Sequence, residues 1–380
     1  MPIRKRRRAK FSPELRQKQT VFLSIIRLLL AVVFVFSGFV KLIDPLGFTY
    51  KTEDYMNAFG GLLSSVTIIA LPLAIILSAL ELVIGLNFLF KVKLRLTSFV
   101  ALAFMLVMLP LTLYISIYNP VSDCGCFGDA LVISNWATFG KNIAITILII
   151  LLLIYNKQLR PFFVARVEWL ATSVFFLIGV ALSVYCYRNL PLIDFLPYKV
   201  GVNIPEAMTV PEGAPSDEYV TTFIYEKAGQ QKEFTLENYP KGDSTWVFVD
   251  QKSVLISEGY KAPIHDFTIV NEQFEDITED VLYDEGRTHL LLMYDLSKTS
   301  IIGAEAAERL YQNALANGEK FYALTASTDN EVQEFIRKTG VNYPFCKTDP
   351  ITLKTIVRSN PGLIVIQKGT IVEKSHWREF

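Results

Sequence analysis

Residues 21–43 read VFLSIIRLLLAVVFVFSGFVKLI, a run in which only Arg27 and Lys41 carry charge. A bilayer core of about 30 Å takes about 20 helical residues to cross, so this stretch predicts a membrane-spanning helix. Four more runs meet the same test, near Ser64–Phe90, Leu96–Ile117, Trp136–Tyr155 and Trp169–Tyr187. Pro72 and Pro110 fall inside spans, where neighbouring helices can satisfy the freed backbone. The first run is not expected to be a cleaved signal peptide, being long, without a small-residue cleavage site, and followed by further spans. Hydrophobic residues make up 51% of the chain and mean hydropathy is +0.34, too apolar for an ordinary soluble domain.

The net charge of zero hides an asymmetric layout. The tail 1–20 carries Arg4, Lys5, Arg6, Arg7, Arg8, Lys10, Arg16 and Lys18. The connection after the second span carries Lys91, Lys93 and Arg95, and the one after the fourth carries Lys157, Arg160 and Arg166. The remaining two connections hold only Lys51 and no basic residue, respectively. The positive-inside rule then places the N-terminus in the cytoplasm and everything after Tyr187 outside, as expected of a multi-pass bacterial inner-membrane protein. The basic tail reads as a topology signal beside anionic membrane lipid; nucleic acid is not an expected partner.

Between the third and fourth spans lies Ser122-Asp-Cys-Gly-Cys-Phe-Gly-Asp129. By this topology Cys124 and Cys126 face a disulfide-permissive compartment, with Cys186 and Cys346 facing or bordering it. A bridge between residues two apart needs a turn, which Gly125 permits. Three readings stay open: a thiol–disulfide redox pair, a static disulfide pinning the loop, and a metal site. Only Asp123 and Asp129 would help two thiolates hold a metal, and no histidine is near, so no metal is expected.

Polar residues inside a span are costly and become functional candidates. Counted at about 1.5 Å per residue, Arg27 and Glu81 fall at similar depth, which suggests an ion pair between them or a proton or quinone-head site; the alternative for Arg27 is snorkelling to the inner surface. Lys41 and Lys141, near the level of the cysteines, are candidates for stabilising a thiolate; the alternative is that both snorkel to the outer headgroups.

Phe36-Ser-Gly-Phe-Val-Lys-Leu-Ile-Asp44, Glu81-Leu-Val-Ile-Gly85, Asp123–Asp129 and Trp136-Ala-Thr-Phe-Gly-Lys-Asn142 together resemble the DoxX/MauE group of membrane proteins, over roughly residues 20–160. The resemblance implies a four-helix membrane bundle with Cys124 and Cys126 as its redox pair. In that group the MauE branch is associated with disulfide formation and the DoxD branch with thiosulfate–quinone chemistry. A quinone is therefore a candidate cofactor, with Arg27 and Glu81 as its neighbours.

After Tyr187 the chain reads as α+β. Tyr219–Tyr225 and Thr245–Val249 alternate like strands, Leu290–Tyr294 and Phe321–Thr325 like buried strands, and Ala304–Asn317 and Asn330–Thr339 like helices. Pro361–Ile366 and Ile371–Lys374 read as a hairpin turning at Lys368-Gly369. Val341-Asn-Tyr-Pro-Phe345 and Ser359-Asn-Pro-Gly-Leu-Ile-Val-Ile-Gln-Lys-Gly369 are similar to thioredoxin-like domains of the TlpA/ResA type, with Pro361 in the place of their cis-proline. That resemblance covers roughly residues 263–376, and it breaks at one point. Where a Cys-x-x-Cys belongs, Asp295–Ser300 offers Ser297 and Ser300, and serine cannot perform dithiol exchange. The closing helix of that fold is also expected to be missing. Cys346 would lie near the active-site side, either exchanging with the Cys124–Cys126 loop or packing as a small hydrophobe.

The expected architecture is thus a basic tail (1–20), a four-helix membrane domain (21–160), a fifth membrane helix (167–187), a β-rich connection (188–262) and a thioredoxin-like domain without Cys-x-x-Cys (263–380). The expected function is thiol–disulfide redox chemistry at Cys124 and Cys126, supported by Lys41, Lys141 and Cys346, toward an extracytoplasmic client protein. The alternative is a non-catalytic membrane scaffold whose outer domain binds envelope partners. A transporter lacks the repeated broken spans.

Overall fold

The computed structural model describes residues 13–61, 64–121, 123–155, 159, 161–216, 218–257 and 259–380. The basic cluster Arg4–Lys10, Ser122, Lys157 and Arg160 lie outside the described residues.

The membrane half runs α1 (Pro13–Ile43), α2 (Pro45–Phe59), α3 (Ala70–Leu89), α4 (Leu94–Tyr118), α5 (Asn135–Tyr155) and α6 (Ala165–Arg188). All but α2 are long and apolar enough to cross a membrane. Their outward faces stay apolar, as at Leu106 and Val107 of α4, which suits contact with lipid rather than water. α1 packs most extensively on α3, α4 on α5, and α6 leans on α3. The α1–α3 crossing brings backbone against backbone. A Cβ on Gly38 would fall 2.5 Å from the Leu82 nitrogen, and one on Gly85 would fall 2.5 Å from the Val35 nitrogen. Small residues at such a crossing are how membrane helices gain close packing without a hydrophobic drive between them.

The connection expected between the first two spans is mostly the helix α2, Pro45–Phe59. Its start is written locally: the Asp44 side chain accepts from the Gly47 amide at 2.9 Å and Pro45 takes the first turn, the arrangement that satisfies an orphan N–H and presets φ. Thr49, Thr52 and Met56 bury one face of α2, so it lies across one end of the bundle beside the Cys124–Cys126 loop.

Beyond α6 come the short α7 (Ile204–Met208) and the strands β1 (Glu218–Lys227), β2 (Gln230–Thr235) and β3 (Val247–Ser257), an antiparallel sheet in the order β2-β1-β3. The last part runs α8 (Thr278–Leu282), β4 (Arg287–Met293), α9 (Ile301–Ala316), β5 (Lys320–Thr325), α10 (Asp329–Thr339), β6 (Phe345–Lys347), α11 (Pro350–Ile356), β7 (Gly362–Gln367) and β8 (Thr370–His376). Its sheet has the order β6-β5-β4-β7-β8, with β4, β5 and β6 parallel and β7 and β8 antiparallel. Leu290–Met293 is buried on both faces, as a central strand covered on both sides must be. Ala304 and Ala307 of α9 with Val332 and Phe335 of α10 cover one face; Leu353 and Ile356 of α11 with Phe267 and Ile269 cover the other. The Asn360–Pro361 peptide is cis, and Gly303 at the start of α9 lies too close to Pro361 to carry a Cβ. The strand order, the crossover helices and the cis-proline before β7 make this a thioredoxin-like domain. After β8 the described chain carries one 3-10 turn, Trp377–Glu379.

Candidate functional site

The loop between α4 and α5 is curled by its own polar groups. Asn135 at the start of α5 donates to Asn119 at the end of α4, 2.8 Å away, and closes the loop base. Asp123 accepts from the Gly125 amide at 2.8 Å, and the Gly128 amide donates to the Gly125 carbonyl at 3.1 Å. Gly125 has φ +64°, which a residue with a Cβ adopts only with strain. The outcome is that the Cys124 and Cys126 sulfurs, both free thiols, lie 2.9 Å apart.

Three elements hold this loop. The Tyr55 hydroxyl of α2 donates to the Cys124 carbonyl at 2.7 Å, and Lys51 pairs with Asp123 at 2.7 Å. Ser37 of α1 lies 2.7 Å from the Cys126 carbonyl and 2.6 Å from Glu81 Oε2, so its hydroxyl joins the loop to α3. Lys41 donates to both Glu81 oxygens, at 2.7 and 2.8 Å, and to Ser37 at 3.2 Å. Lys141 stands 4.1 Å over the Phe127 ring.

The two thiols are driven apart in acidity. Either thiol can donate in this contact; with Cys124 as the donor, the bond together with burial pushes Cys124 well above the ordinary thiol range. The same bond, accepted by Cys126 and reinforced by Lys141 and Lys41 against the cost of burial, brings Cys126 down to about 6. Lys141 and Lys41 both act on Cys126 through their charge in this arrangement.

Arg27 and Glu81 do not meet. Side chains lean toward the N-terminus of their helix. α1 and α3 are antiparallel with Gly38 against Leu82 and Val35 against Gly85, so Glu81 lies close to the level of Lys41, which leans toward it, while Arg27 is about twelve residues, roughly 18 Å, further along. Glu81 pairs with Lys41 instead, both nearly fully buried. Arg27 donates to the carbonyls of Phe88 and Leu89, 2.6 Å for the latter, where the end of α3 leaves acceptors without helical partners. Both heads expected near a quinone are thus engaged by the protein itself and share no site, so the residues do not fit that role.

Of the two readings of Cys346, its placement favours packing. It lies on β6 opposite Leu324, inside the apolar core of the thioredoxin-like domain, and burial raises its thiol to about 11. A thiol so placed packs as a hydrophobe and is not presented to the loop. Cys186 is buried in α6. Among the described residues no group of three or more His, Cys, Asp or Glu is placed to hold a metal; Asp123 and Asp129, which a metal would need, are taken by Lys51 and Arg358.

Arg358 is the residue that sequence reasoning missed. It lies three positions before Pro361 and reaches the membrane domain with two of its three guanidinium nitrogens. Nε donates to Asp44 at 2.9 and 3.0 Å, and a terminal nitrogen donates to Asp129 at 2.7 Å. The remaining nitrogen donates to the Lys354 carbonyl. Burial works against this charge, but Asp44 and Asp129 more than offset it and hold the pKa above its ordinary value. Next to it Tyr50 of α2 meets Tyr294 at the end of β4, ring centroids 6.1 Å apart, with Lys354 over both rings. The face carrying the cis-proline and the Asp295–Ser300 segment is therefore docked on the Cys124–Cys126 end of the bundle. Ser297 donates to the Asp295 carboxylate at 2.6 Å and Ser300 caps the Gly303 amide, so both serines are engaged by neighbouring groups of the same segment.

Residues 19–155 match the family described as methylamine utilisation protein MauE, which spans α1 to α5 and less than half of the chain. Residues 219–258, the β2-β1-β3 sheet, match a domain of unknown function, DUF8463. No curated protein matches the sequence. Among solved structures, a protein from Bacteroides thetaiotaomicron described as a protein disulfide isomerase is 18% identical at a TM-score of 0.25, over 30% of this chain and 75% of that one. A hypothetical protein of Sinorhizobium meliloti 1021 is 12% identical at a TM-score of 0.24, over 29% of this chain and 66% of that one.

Proposed function

We propose that this multi-pass membrane protein is a thiol–disulfide oxidoreductase that works through Cys124 and Cys126. One observation carries the reading: two buried thiols 2.9 Å apart, with Cys126 held down to about 6 by its partner thiol and two lysines. A structural staple needs no such arrangement of cations. The match of residues 19–155 to MauE supports a role related to disulfide chemistry.

The asymmetry of the pair sets the direction of attack. In a disulfide the sulfur whose thiolate is better stabilised leaves faster; Lys141 and Lys41 both favour the Cys126 thiolate, so a client thiolate attacks Cys124 and Cys126 departs as thiolate. The client's second thiolate then displaces Cys124 from the mixed disulfide. The client loses two electrons and two protons, and the pair gains them as a dithiol. Reoxidation requires a two-electron acceptor, and a membrane quinone is the class we propose. No step is assigned to Arg27 or Glu81 in that transfer.

In this reading the protein sits in a bacterial inner membrane with its N-terminus in the cytoplasm, and the thioredoxin-like domain faces a client outside. A second reading is a scaffold whose outer domain only binds partners. It draws on Ser297 and Ser300, which deny that domain its own redox chemistry.

Thiol trapping in intact cells separates the two. After a brief reductant pulse, mass-tag alkylation should show Cys124 and Cys126 reduced and then reoxidised within minutes (order of magnitude for such exchange), dependent on quinone. If the pair stays oxidised throughout and the Cys124→Ser, Cys126→Ser variant supports normal envelope disulfides, the scaffold reading replaces ours.

A further inference from the structure

Cys124 and Cys126 are 5% and 8% exposed. Disulfide exchange needs a third sulfur to reach the pair, so no client can react with it in this arrangement. α2 covers the loop on one side with Phe48 and Lys51. The segment Pro191–Leu196 runs beside the same loop as a strap: with α2 and with Gly125, Gly128 and Asp129 of the loop it lines a cavity of about 20 Å³, room for one water.

The strap belongs mechanically to the thioredoxin-like domain. Lys374 of β8 donates to Asp194 at 2.6 Å and to the Tyr198 carbonyl at 3.2 Å. Tyr198, just after the strap, is buried in that domain's core beside Phe267. Domain and strap therefore move together, and Arg358 fastens them to the membrane half by its bonds to Asp44, beside α2, and Asp129, in the cysteine loop itself. Arg358 is 7% exposed while Asp129 is 38% exposed, so the carboxylate side of this contact remains open to solvent and to competing groups.

We propose that the thioredoxin-like domain with its strap is a gate over the thiol pair, and that Arg358 is the latch: release of Arg358 from Asp44 and Asp129 lifts the strap and exposes Cys124 to a client. The proposal takes from the redox reading only the identity of what is admitted. The burial of the pair and the latch contacts stand without it. A domain that has serines at the dithiol positions, yet keeps the docking face on the cysteine loop, then acts by controlling access.

The test is alkylation kinetics on the reduced full-length protein in nanodiscs, in a Cys186→Ala, Cys346→Ala background, with a maleimide mass tag as probe. The gate predicts slow tagging of Cys124 and Cys126 in that background. It predicts tagging roughly tenfold faster or more in Arg358→Glu, as for loss of a local closed state, with an intermediate gain in Lys374→Met. Equal rates in all three, with melting temperature and elution unchanged, overturn the gate. Should Arg358→Glu not fold, Asp129→Asn breaks the same contact from the loop side and is read the same way. If Arg358→Glu exposes the thiols but the wild-type pair never cycles in cells, the gate stands and the redox reading falls. If the pair cycles but no variant changes the tagging rate, the gate alone falls.

Discussion

Lys41 and Glu81 close a buried ion pair at 2.7 Å between α1 and α3, and the Ser37 hydroxyl connects that pair to the carbonyl of Cys126. A charge pair inside the bundle thus supports the backbone of the loop that carries the thiols. Removing one member leaves the other charged and unpaired in a site 3–4% exposed, which costs about 3–5 kcal/mol, whereas replacing both by apolar groups is close to neutral. Lys41→Met should therefore lower thermal stability strongly, and Lys41→Met combined with Glu81→Met should recover most of the loss. Melting curves in detergent measure this. Additive losses in the double variant would show that the two side chains do not act as a pair.

The acidity of Cys126 gives a pH prediction. Its thiolate should titrate with a midpoint of about 6, so alkylation of Cys126 should rise from below that pH and be nearly flat by pH 7.5. An ordinary thiol, with a pKa of about 8.5, is still rising there. The sign for stability follows from linkage. Because folding lowers this pKa, the stabilisation is complete above the ordinary thiol value, shrinks as pH falls toward 6, and is gone below it. Lys141→Met removes the first of the two cations that favour the thiolate and should move the midpoint up. A midpoint unchanged in Lys141→Met would show that the hydrogen bond from Cys124 accounts for the shift without Lys141.

Arg27 yields a prediction that separates its two readings. As a cap on the last carbonyls of α3 it holds acceptors that have no other helical partner. Arg27→Met should destabilise the bundle by roughly 1–3 kcal/mol, the cost of leaving buried acceptors unsatisfied. Thiol reoxidation in membranes should keep its wild-type dependence on quinone concentration. A raised quinone requirement without loss of stability would return Arg27 to the cofactor.

Much of this was legible because membrane burial enforces a simple rule: every crossing segment must be a long apolar helix. Hence the five spans were readable, as were the strands and helices around the buried run Leu290–Met293. α2 was missed although Asp44-Pro45 is a written helix start, because its polar face, including Lys51, Glu53 and Asp54, reads like a loop between two strongly apolar runs. Arg27 and Glu81 fall at similar depth only when depth is counted from the ends of the apolar runs; the α1–α3 register, with Gly38 against Leu82 and Val35 against Gly85, sets Glu81 near Lys41 and Arg27 at the far end of α3. Arg358 had no local signal at all: its partners lie 314 and 229 residues away, and nothing in the residues around Pro361 says which surface will be docked on them.

The crossing of α1 and α3 tests whether the site depends on helix packing as closely as the geometry implies. Gly38 and Gly85 each face the backbone of the opposite helix, and they flank Ser37, Lys41 and Glu81. A methyl at either position must push the helices apart, and overpacking of this kind costs about 1–3 kcal/mol or more. It should also draw Ser37 away from Glu81 and the Cys126 carbonyl. Gly38→Ala and Gly85→Ala should therefore lower the melting temperature and, in the fraction that folds, change the pH midpoint of Cys126 alkylation. Gly140 of α5 is the control: nothing lies within 4 Å of a Cβ built there, and alanine in a helix is favoured over glycine by roughly 0.5–1 kcal/mol. Gly140→Ala should leave the midpoint where it is and the stability unchanged or slightly higher. If Gly38→Ala behaves like Gly140→Ala in both measurements, α1 and α3 are not held at the distance that the Ser37–Lys41–Glu81 network requires.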